Sequence, residues 1–321
     1  MKRILVTGAA GFIGSHTCER LVADGHKVLG VDNFRTGRRR NLAGLLSDPN
    51  FRLTELDARE TEKLAEAAKE FGADGMLHLA ALVSVEEGQR NPGLNHDLNI
   101  NAAQSAVEAA RLAGVGRIVF ASSAAVYGDT EVMPIREAAA MPDPISLYGA
   151  AKLASEHILK SYARSYGLTA ICLRYFNVFG ERQDPNSPYS GVISIFSDRF
   201  AAGRQATIFG DGLQSRDFIH VSDIARANAA ALTAAGAATG SYNVCTGQST
   251  TLLDVVEVLK SVCPHAPEIA FGEARGGDIR HSLGDPSAAR ASFGFEAQRS
   301  FADGLRGLVE FNETTKQRQA A

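Results

Sequence analysis

A glycine-rich turn between an apolar run and a helical pattern constrains the fold of this chain more than any other feature. The run at residues 3–7 leads directly into Gly8, Gly11 and Gly14, spaced G-x-x-G-x-x-G, and a helical pattern begins at Phe12. Glycines placed in this way let the chain turn tightly, let backbone N–H groups approach a pyrophosphate and let the helix pack close to a sheet. The spacing alone is a weak signal, but its position between a strand and a helix favours a dinucleotide site.

Short apolar runs alternate with helical patterns through the first half of the chain. Continuous apolar stretches predict strands covered on both faces, and apolar residues at three- and four-residue spacing predict helices. The predicted strands are residues 3–7, 27–31, 51–54, 74–79, 116–122 and 168–173, and the predicted helices are residues 12–24, 60–71, 98–113 and 147–166. This alternation predicts an α/β fold with a doubly wound parallel sheet, and it places functional sites beyond the carboxyl ends of the strands.

The alternation of strand and helix patterns ends after about residue 175, where frequent prolines and glycines predict a loop-rich region. Shorter helical patterns follow at residues 225–238, 251–261 and 301–311. We therefore predict a dinucleotide-binding Rossmann domain over residues 1–175 and a smaller C-terminal substrate lobe over residues 176–321, with some chain crossing back to the first domain.

Composition and charge narrow the classes of function. With 321 residues, of which 45% are hydrophobic and 21% charged, the chain can bury a substantial core. A formal net charge of -3 leaves no basic excess for a phosphate backbone, which argues against nucleic-acid binding. We find no apolar stretch long enough for a signal segment or a membrane span, so we expect a cytoplasmic protein without a membrane partner. The four cysteines and eight histidines are scattered, so we expect no catalytic metal.

A carboxylate stands at the end of the second predicted strand. Asp32 can accept both ribose hydroxyls of an adenosine there and would repel a 2′-phosphate, which favours NAD over NADP. The alternative is a solvated turn residue, and the neighbouring Arg35 and Arg38 leave an opening for NADP. Asp57, just after the third predicted strand, is a candidate adenine contact or the cap of the following helix.

A tyrosine and a lysine share one face of the predicted helix 147–166. Tyr148 and Lys152 lie four residues apart. A phenol with a pKa near about 10 is a poor base at neutral pH, but an adjacent ammonium and a nicotinamide cation favour its ionised form. The preceding strand ends in Ser122-Ser123, which brings a hydroxyl to the same edge of the sheet. A solvated helix face and simple strand termination are the alternative explanations.

Five segments together resemble the extended short-chain dehydrogenases/reductases, and among them the UDP-glucose and UDP-N-acetylglucosamine 4-epimerases. The segments are TGAAGFIG (7–14), HLAA (78–81), SSAAVYGD (122–129), YGAAK (148–152) and RYFNVFG (174–180), and the similarity continues through 210–223 and 275–290. The resemblance implies a Rossmann domain with a small substrate lobe, NAD as cofactor, and a homodimer built from the helices at 98–113 and 147–166.

The resemblance also implies roles for individual residues. Tyr148 is the base, Lys152 its electrostatic partner and nicotinamide-ribose contact, and Ser123 the proton-relaying hydroxyl. From the motifs and the resemblance together, the cofactor contacts are Gly8, Gly11, Phe12, Ile13, Gly14, Asp32, Asn33, Asp57, Ala58, Leu79, Ala80, Ala81, Asn99, Tyr148 and Lys152. The substrate contacts are Ser84, Ser123, Asn177, Arg216, Arg275 and Ser282, and the two arginines would hold a diphosphate.

The same resemblance narrows the reaction to oxidation of a nucleotide sugar at carbon 4. Dehydratases of this group carry an acidic pair directly before V-Y-G, where this chain has Ala124-Ala125. Return of the hydride to the opposite face is then the preferred outcome, which is 4-epimerisation of a UDP-hexose. The small Ser282, beside the sugar ring by resemblance, leaves room for 2-N-acetyl sugars. The alternatives are a 4-ketoreductase, an epimerase or decarboxylase acting on UDP-glucuronate, and an NAD sensor without turnover.

Overall fold

Strands and helices alternate along the chain in the computed structural model, which describes residues 1–184, 191–263, 265–274 and 279–320. The strands are β1 (Arg3–Thr7), β2 (Lys27–Asp32), β3 (Phe51–Glu55), β4 (Gly75–His78), β5 (Arg117–Ser123), β6 (Thr169–Tyr175), β7 (Asn177–Phe179), β8 (Thr207–Phe209), β9 (Ser215–Arg216), β10 (Phe218–His220), β11 (Gly240–Val244), β12 (Thr250–Thr251), β13 (Ala270–Gly272) and β14 (His281–Ser282). The helices are α1 (Phe12–Ala23), α2 (Thr61–Phe71), α3 (Val85–Arg90), α4 (Pro92–Asn95), α5 (Ala102–Leu112), α6 (Leu147–Tyr166), α7 (Val192–Ala201), α8 (Val221–Thr233), α9 (Leu252–Val262), α10 (Ser287–Phe293) and α11 (Phe301–Ala320).

Seven strands form the large sheet, in the order β11-β6-β5-β4-β1-β2-β3. Every neighbouring pair in it is parallel, so the carboxyl ends of all seven strands meet at one edge. Each of the six predicted strands overlaps an observed strand, with ends that differ by no more than two residues. The predicted doubly wound parallel sheet is therefore confirmed.

Apolar side chains of the large sheet pack against helices on both of its faces. Ile4 and Val6 of β1 join a buried cluster with Leu21 of α1, whereas Leu5 between them joins a second cluster with Leu64 of α2. Burial of each such side chain contributes about 1.5–3 kcal/mol relative to exposure. A strand whose successive side chains are all buried reads as a continuous apolar run, which is why β1 was predictable from the sequence.

A second packed unit follows β6. Helices α7, α9 and α11 share a cluster that includes Phe196, Phe200, Val255, Leu259 and Leu308. Three small sheets accompany it, namely β7 with β10, β12 with β9 and β14, and β8 with β13. Within the described residues, no helix has both the length and the apolar character needed to cross a bilayer.

Several observed elements differ from the prediction or were not predicted. The predicted helix 98–113 is divided into a π-helical turn over His96–Asn101 and α5, because polar residues interrupt the apolar periodicity of the turn. The predicted helix 225–238 begins earlier and ends at Thr233. Strand β11 was not predicted, and it pairs with β6 from far along the chain.

Candidate active site

The glycine-rich turn closes tightly against the strand beside it. Gly8 has a φ of +70°, and a Cβ at this position would lie 2.8 Å from the Ala80 nitrogen. A Cβ on Gly14 would lie 2.0 Å from the Gly8 carbonyl oxygen, so α1 can approach the turn only with glycine there. Gly11 precedes α1 without a side-chain cap, which leaves the first N–H groups of the helix available to an anion.

Asp32 is held at the end of β2 by the backbone of the same turn. The N–H of Ala10 donates to Oδ2 at 2.9 Å, and the N–H of Phe34 donates to Oδ1 at 2.8 Å. Burial raises the pKa of the Asp32 carboxyl, and these two hydrogen bonds oppose that shift. The carboxylate is therefore fixed in orientation before any ligand arrives.

Asp57 does not cap the helix that follows it. Helix α2 begins after Glu60, which makes no side-chain cap. Asp57 instead accepts a hydrogen bond from Asn33 Nδ2 at 2.8 Å, and a hydrogen bond from the Arg59 side chain lowers its pKa. The capping alternative is therefore wrong, because Asp57 is occupied by its ion pair with Arg59.

A cleft of about 850 Å³ runs from the glycine turn to the start of α6. Every predicted cofactor contact except Asn99 lines it: Gly8, Gly11, Phe12, Ile13, Gly14, Asp32, Asn33, Asp57, Ala58, Leu79, Ala80, Ala81, Tyr148 and Lys152. A glycine turn, an open helix N-terminus and a buried acceptor in one cleft fit a dinucleotide.

Asn99 lies behind the wall of this cleft. Its Nδ2 donates to the Leu82 carbonyl at 3.1 Å and to Asn95 Oδ1 at 3.0 Å, while its own buried Oδ1 has no partner among the described residues. The π-helical turn presents Leu98 to the cleft, and Ala102 at the start of α5 lines it as well. The structure therefore does not place Asn99 as a direct wall residue.

Helix α6 presents its tyrosine and lysine to the cleft. Ser146 caps the helix by accepting a hydrogen bond from the Gly149 N–H at 3.0 Å, which fixes where the first turn begins. Lys152 is only 3% exposed, and its Nζ donates to the Ala121 carbonyl at 2.8 Å. The same Nζ lies 5.7 Å from the centroid of the Tyr148 ring.

Burial controls the protonation of both groups. It raises the pKa of Tyr148 to about 12, against the opposing effect of a hydrogen bond with Ser123. It lowers the pKa of Lys152 to about 7, against the opposing charge of Glu156. Tyrosinate therefore forms at neutral pH only where added positive charge offsets this desolvation. A nicotinamide cation in the cleft would supply that charge.

A buried ionic network behind Lys152 was not predicted. Glu156 accepts hydrogen bonds from Arg174 at 2.9 and 2.8 Å, and from Ser122 at 2.5 Å. Ser122, rather than Ser123, lines the large cleft. The available signals were a glutamate one turn after Lys152 and an arginine inside the apolar strand β6.

A second unpredicted contact joins β1 to β4. Thr7 Oγ1 lies 2.8 Å from His78 Nδ1 and accepts from the N–H groups of Leu79 and Ala80, both at 3.3 Å. Burial lowers the pKa of His78 to about 3, so the ring is neutral near pH 7. The contact holds the HLAA segment against the glycine turn.

A separate cavity of about 240 Å³ is lined partly by residues of the second packed unit. Asn177 and Arg216 both line it, together with Phe209 and Gln214, which sequence analysis did not single out. Ser282 pairs in register with Arg216 across β14 and β9 but is not part of this wall. Phe209 lies in the segment TIFGDG (207–212), which begins with β8, and this segment is the sequence feature from which its role could have been predicted.

Three predicted substrate contacts, Ser84, Ser123 and Ser282, do not line either cavity. Ser84 is 1% exposed and caps α3 by accepting a hydrogen bond from the Glu87 N–H at 2.7 Å. Arg275 lies outside the described residues. Among the residues that are described, no group of three or more His, Cys, Asp or Glu side chains could hold a metal ion.

Comparisons with known proteins agree with this geometry. The model of the NAD dependent epimerase/dehydratase family matches residues 4–245. A UDP-glucose 4-epimerase of Mycolicibacterium smegmatis is 38% identical over 313 residues, covering 96% of this chain and 98% of that protein. Among solved structures, a UDP-glucose 4-epimerase of Thermotoga maritima with UDP-glucose superposes with a TM-score of 0.91 at 35% identity, covering 98% of this chain and 99% of that one. A UDP-N-acetylglucosamine 4-epimerase of Methanobrevibacter ruminantium, in complex with UDP-N-acetylmuramic acid, gives 0.92 at 37% identity with the same coverage.

Proposed function

Because the chain belongs to the NAD-dependent epimerase/dehydratase family, we propose that it is an NAD-dependent epimerase that inverts carbon 4 of a UDP-hexose. One observation carries this proposal. Tyr148 and Lys152 line the same cleft as the glycine turn and Asp32, while the segment that follows Ser123 brings no carboxylate to the site. The predicted family resemblance is confirmed.

We propose that the glycine turn and Asp32 hold the adenosine end of NAD. The N–H groups at the start of α1 face the pyrophosphate, and the Asp32 carboxylate accepts the ribose hydroxyls. When bound, NAD supplies the acceptor and later the donor of the hydride. The buried negative charge of Asp32 disfavours a 2′-phosphate, which selects NAD over NADP.

We propose that Tyr148 and Ser123 move the proton of the 4-hydroxyl. Ser123 hydrogen-bonds the Tyr148 hydroxyl, so both oxygens are close enough to hydrogen-bond to the same substrate oxygen. Lys152 is anchored by the Ala121 carbonyl, which keeps its ammonium beside the Tyr148 ring and stabilises the phenolate. The tyrosine takes the proton during oxidation and returns it during reduction.

Two alanines separate an epimerase from a dehydratase. Ala124 and Ala125 occupy the 3-10 turn over Ala124–Tyr127, directly after Ser123, and their methyl groups can neither donate nor accept a proton. Elimination of water from the sugar needs an acid and a base at that point. The keto sugar is therefore reduced again, and reduction on the opposite face gives the epimer.

We propose that the C-terminal lobe, residues 176–321 apart from β11, α8 and α10, which pack with the large sheet, holds the UDP part of the substrate. Asn177 and Arg216 line its cavity, and a guanidinium binds phosphate oxygens well. Arg275 is proposed as the second diphosphate contact and Ser282 as the residue beside the sugar. While the nucleotide is held, the sugar is free to turn and present either face to the cofactor. Binding of the nucleotide also keeps the keto intermediate from leaving the site.

We also propose a homodimer built from α5, the π-helical turn before it, and α6. Leu112 and Tyr166 are exposed at one end of these helices, with relative exposures of 49% and 58%. The mass of the purified protein in solution tests this proposal, and a monomer would contradict it.

The proposed function is tested by replacing Tyr148 with phenylalanine. We expect purified wild-type protein to interconvert UDP-glucose and UDP-galactose without added NAD. In Tyr148→Phe, turnover should fall by about 10²–10⁴-fold, because only the ionisable oxygen is removed, while NAD remains bound. Consumption of added NADH would indicate a 4-ketoreductase, a dehydrated 4-keto sugar would indicate a dehydratase, and NAD binding without turnover in the wild type would indicate a sensor.

A further inference from the structure

The carboxylate of Asp217 is fully buried in the C-terminal lobe, and no ion pair reaches it from the described residues. Its oxygens accept four hydrogen bonds from neutral donors. Oδ1 accepts from the N–H and the hydroxyl of Thr246, at 2.8 and 2.7 Å. Oδ2 accepts from the N–H of Gly247 at 2.8 Å and, more weakly, from the N–H of Gly284 at 3.4 Å.

The segments that meet at Asp217 carry the proposed substrate contacts. Arg216 precedes it directly, and the Asp217 carbonyl accepts a hydrogen bond from the Asn177 N–H at 3.0 Å. Gly284 lies two residues after Ser282, which itself pairs in register with Arg216. The Asp217 side chain therefore joins the chain after β11 to the chain that leaves β14, while its backbone carbonyl pairs with β7.

Burying a carboxylate is energetically unfavourable unless hydrogen bonds compensate for the lost hydration of its charge. Burial raises the pKa of the Asp217 carboxyl, and the hydrogen bonds from Thr246, Gly247 and Gly284 oppose that shift. Moving any of these donors would leave a buried charge with fewer hydrogen bonds, which is unfavourable. The arrangement therefore resists displacement of the segments that carry them.

We infer that the Asp217 carboxylate positions Arg216 and the segment after Ser282 in the geometry that binds the uridine diphosphate part of the substrate. The inference rests on the proposed function. Asp217 does not touch the ligand itself, and it acts only through the residues that it connects.

Replacement of Asp217 by asparagine is the direct test, since the shape is kept and one oxygen becomes an NH₂ group. Both oxygens face N–H donors, so the NH₂ group opposes at least one donor in either orientation. We expect the Kd for UDP, titrated into the NAD-loaded protein, to rise at least about tenfold, equivalent to about 1.4 kcal/mol. The amount of bound NAD should not change, and KM for the UDP-sugar should change more than kcat.

Asp223 supplies a matched control on the same stretch of chain. It is also a fully buried carboxylate, and it accepts from the backbone N–H groups of Gln298 and Arg299, both at 3.1 Å. Unlike Asp217, it also forms an ion pair with Arg226. These partners lie outside the proposed substrate site. We expect Asp223→Asn to bind UDP as the wild type does.

Thr246→Val is a milder second variant in case Asp217→Asn does not fold. It removes the hydroxyl donor and leaves the backbone donor, so we expect the UDP Kd to rise about threefold with NAD content unchanged. A UDP Kd within twofold of wild type in the variants that fold would overturn the inference, as would an equal loss in Asp223→Asn. Failure of the wild type to bind UDP would instead contradict the proposed function.

Discussion

Single residues show where local sequence is informative and where it is not. Asp32 was predictable because a carboxylate at the end of a buried strand has few structural reasons to be there. For Ser84, the sequence does not reveal that its hydroxyl caps α3. Asn99 matched a motif, yet its side chain is used by Leu82 and Asn95 behind the cleft.

The role proposed for Asp32 predicts a change in cofactor preference. Asp32→Ala removes the acceptor for the ribose hydroxyls and leaves the N–H groups of Ala10 and Phe34 without a partner, so NAD binding should weaken tenfold or more. The preference for NAD over NADP should also shrink, because the buried negative charge is gone. Titration of the apoprotein with both cofactors measures this. An unchanged ratio of the two affinities would show that discrimination lies elsewhere.

The small side chain of Ser282 predicts acceptance of acetylated sugars. We expect Ser282→Tyr to reduce the rate on UDP-N-acetylglucosamine far more than on UDP-glucose, since steric overlap falls only on the larger substituent. Ser282→Ala is the matched control and should leave both rates close to wild type. Equal losses on both substrates in the tyrosine variant would remove Ser282 as the determinant of sugar size.

At the scale of elements, local signals decided what the sequence could predict. The bounds of α6 were predicted to the residue because Ser146 caps its start and Gly167, with φ of 75°, ends it. Strand β11 has no such local mark, since its place in the sheet depends on pairing with β6. The ion pair of Glu156 with Arg174 joins α6 to β6 and was also not predicted, although an arginine inside an apolar strand is a local signal of a buried partner.

This ion pair predicts a change in pH dependence. The negative charge of Glu156 raises the pKa of Lys152, which burial otherwise lowers to about 7. Glu156→Gln removes that charge and leaves Arg174 positive, so the pKa of Lys152 should fall further. The ammonium is then lost at lower pH, and the alkaline decline of kcat should move to lower pH by about half a unit or more.

A matched control separates charge from packing in this network. Ser241 donates to Glu156 at 2.7 Å, and Ser241→Ala removes that hydrogen bond while keeping the carboxylate. We expect its pH profile to coincide with that of the wild type. If Glu156→Gln lowers the rate without moving the profile, Glu156 has only a structural role.

At the scale of the whole molecule, the fold class and the family could be predicted, while the connections between the two lobes could not. The repeated strand and helix patterns are local, and they determine the seven-stranded sheet almost completely. Asp217 shows what remains hidden, because its partners Thr246 and Gly284 lie far away in sequence and are ordinary loop residues. Only the folded chain brings these segments together.

The central claim is that a hydride leaves carbon 4 and returns to the same carbon on the opposite face. The most direct measurement uses UDP-glucose carrying deuterium at carbon 4, incubated with the purified protein in ordinary water without added NAD. We expect UDP-galactose that retains the deuterium at carbon 4. Deuterium found at carbon 6 of a dehydrated product, or lost to solvent, would contradict it.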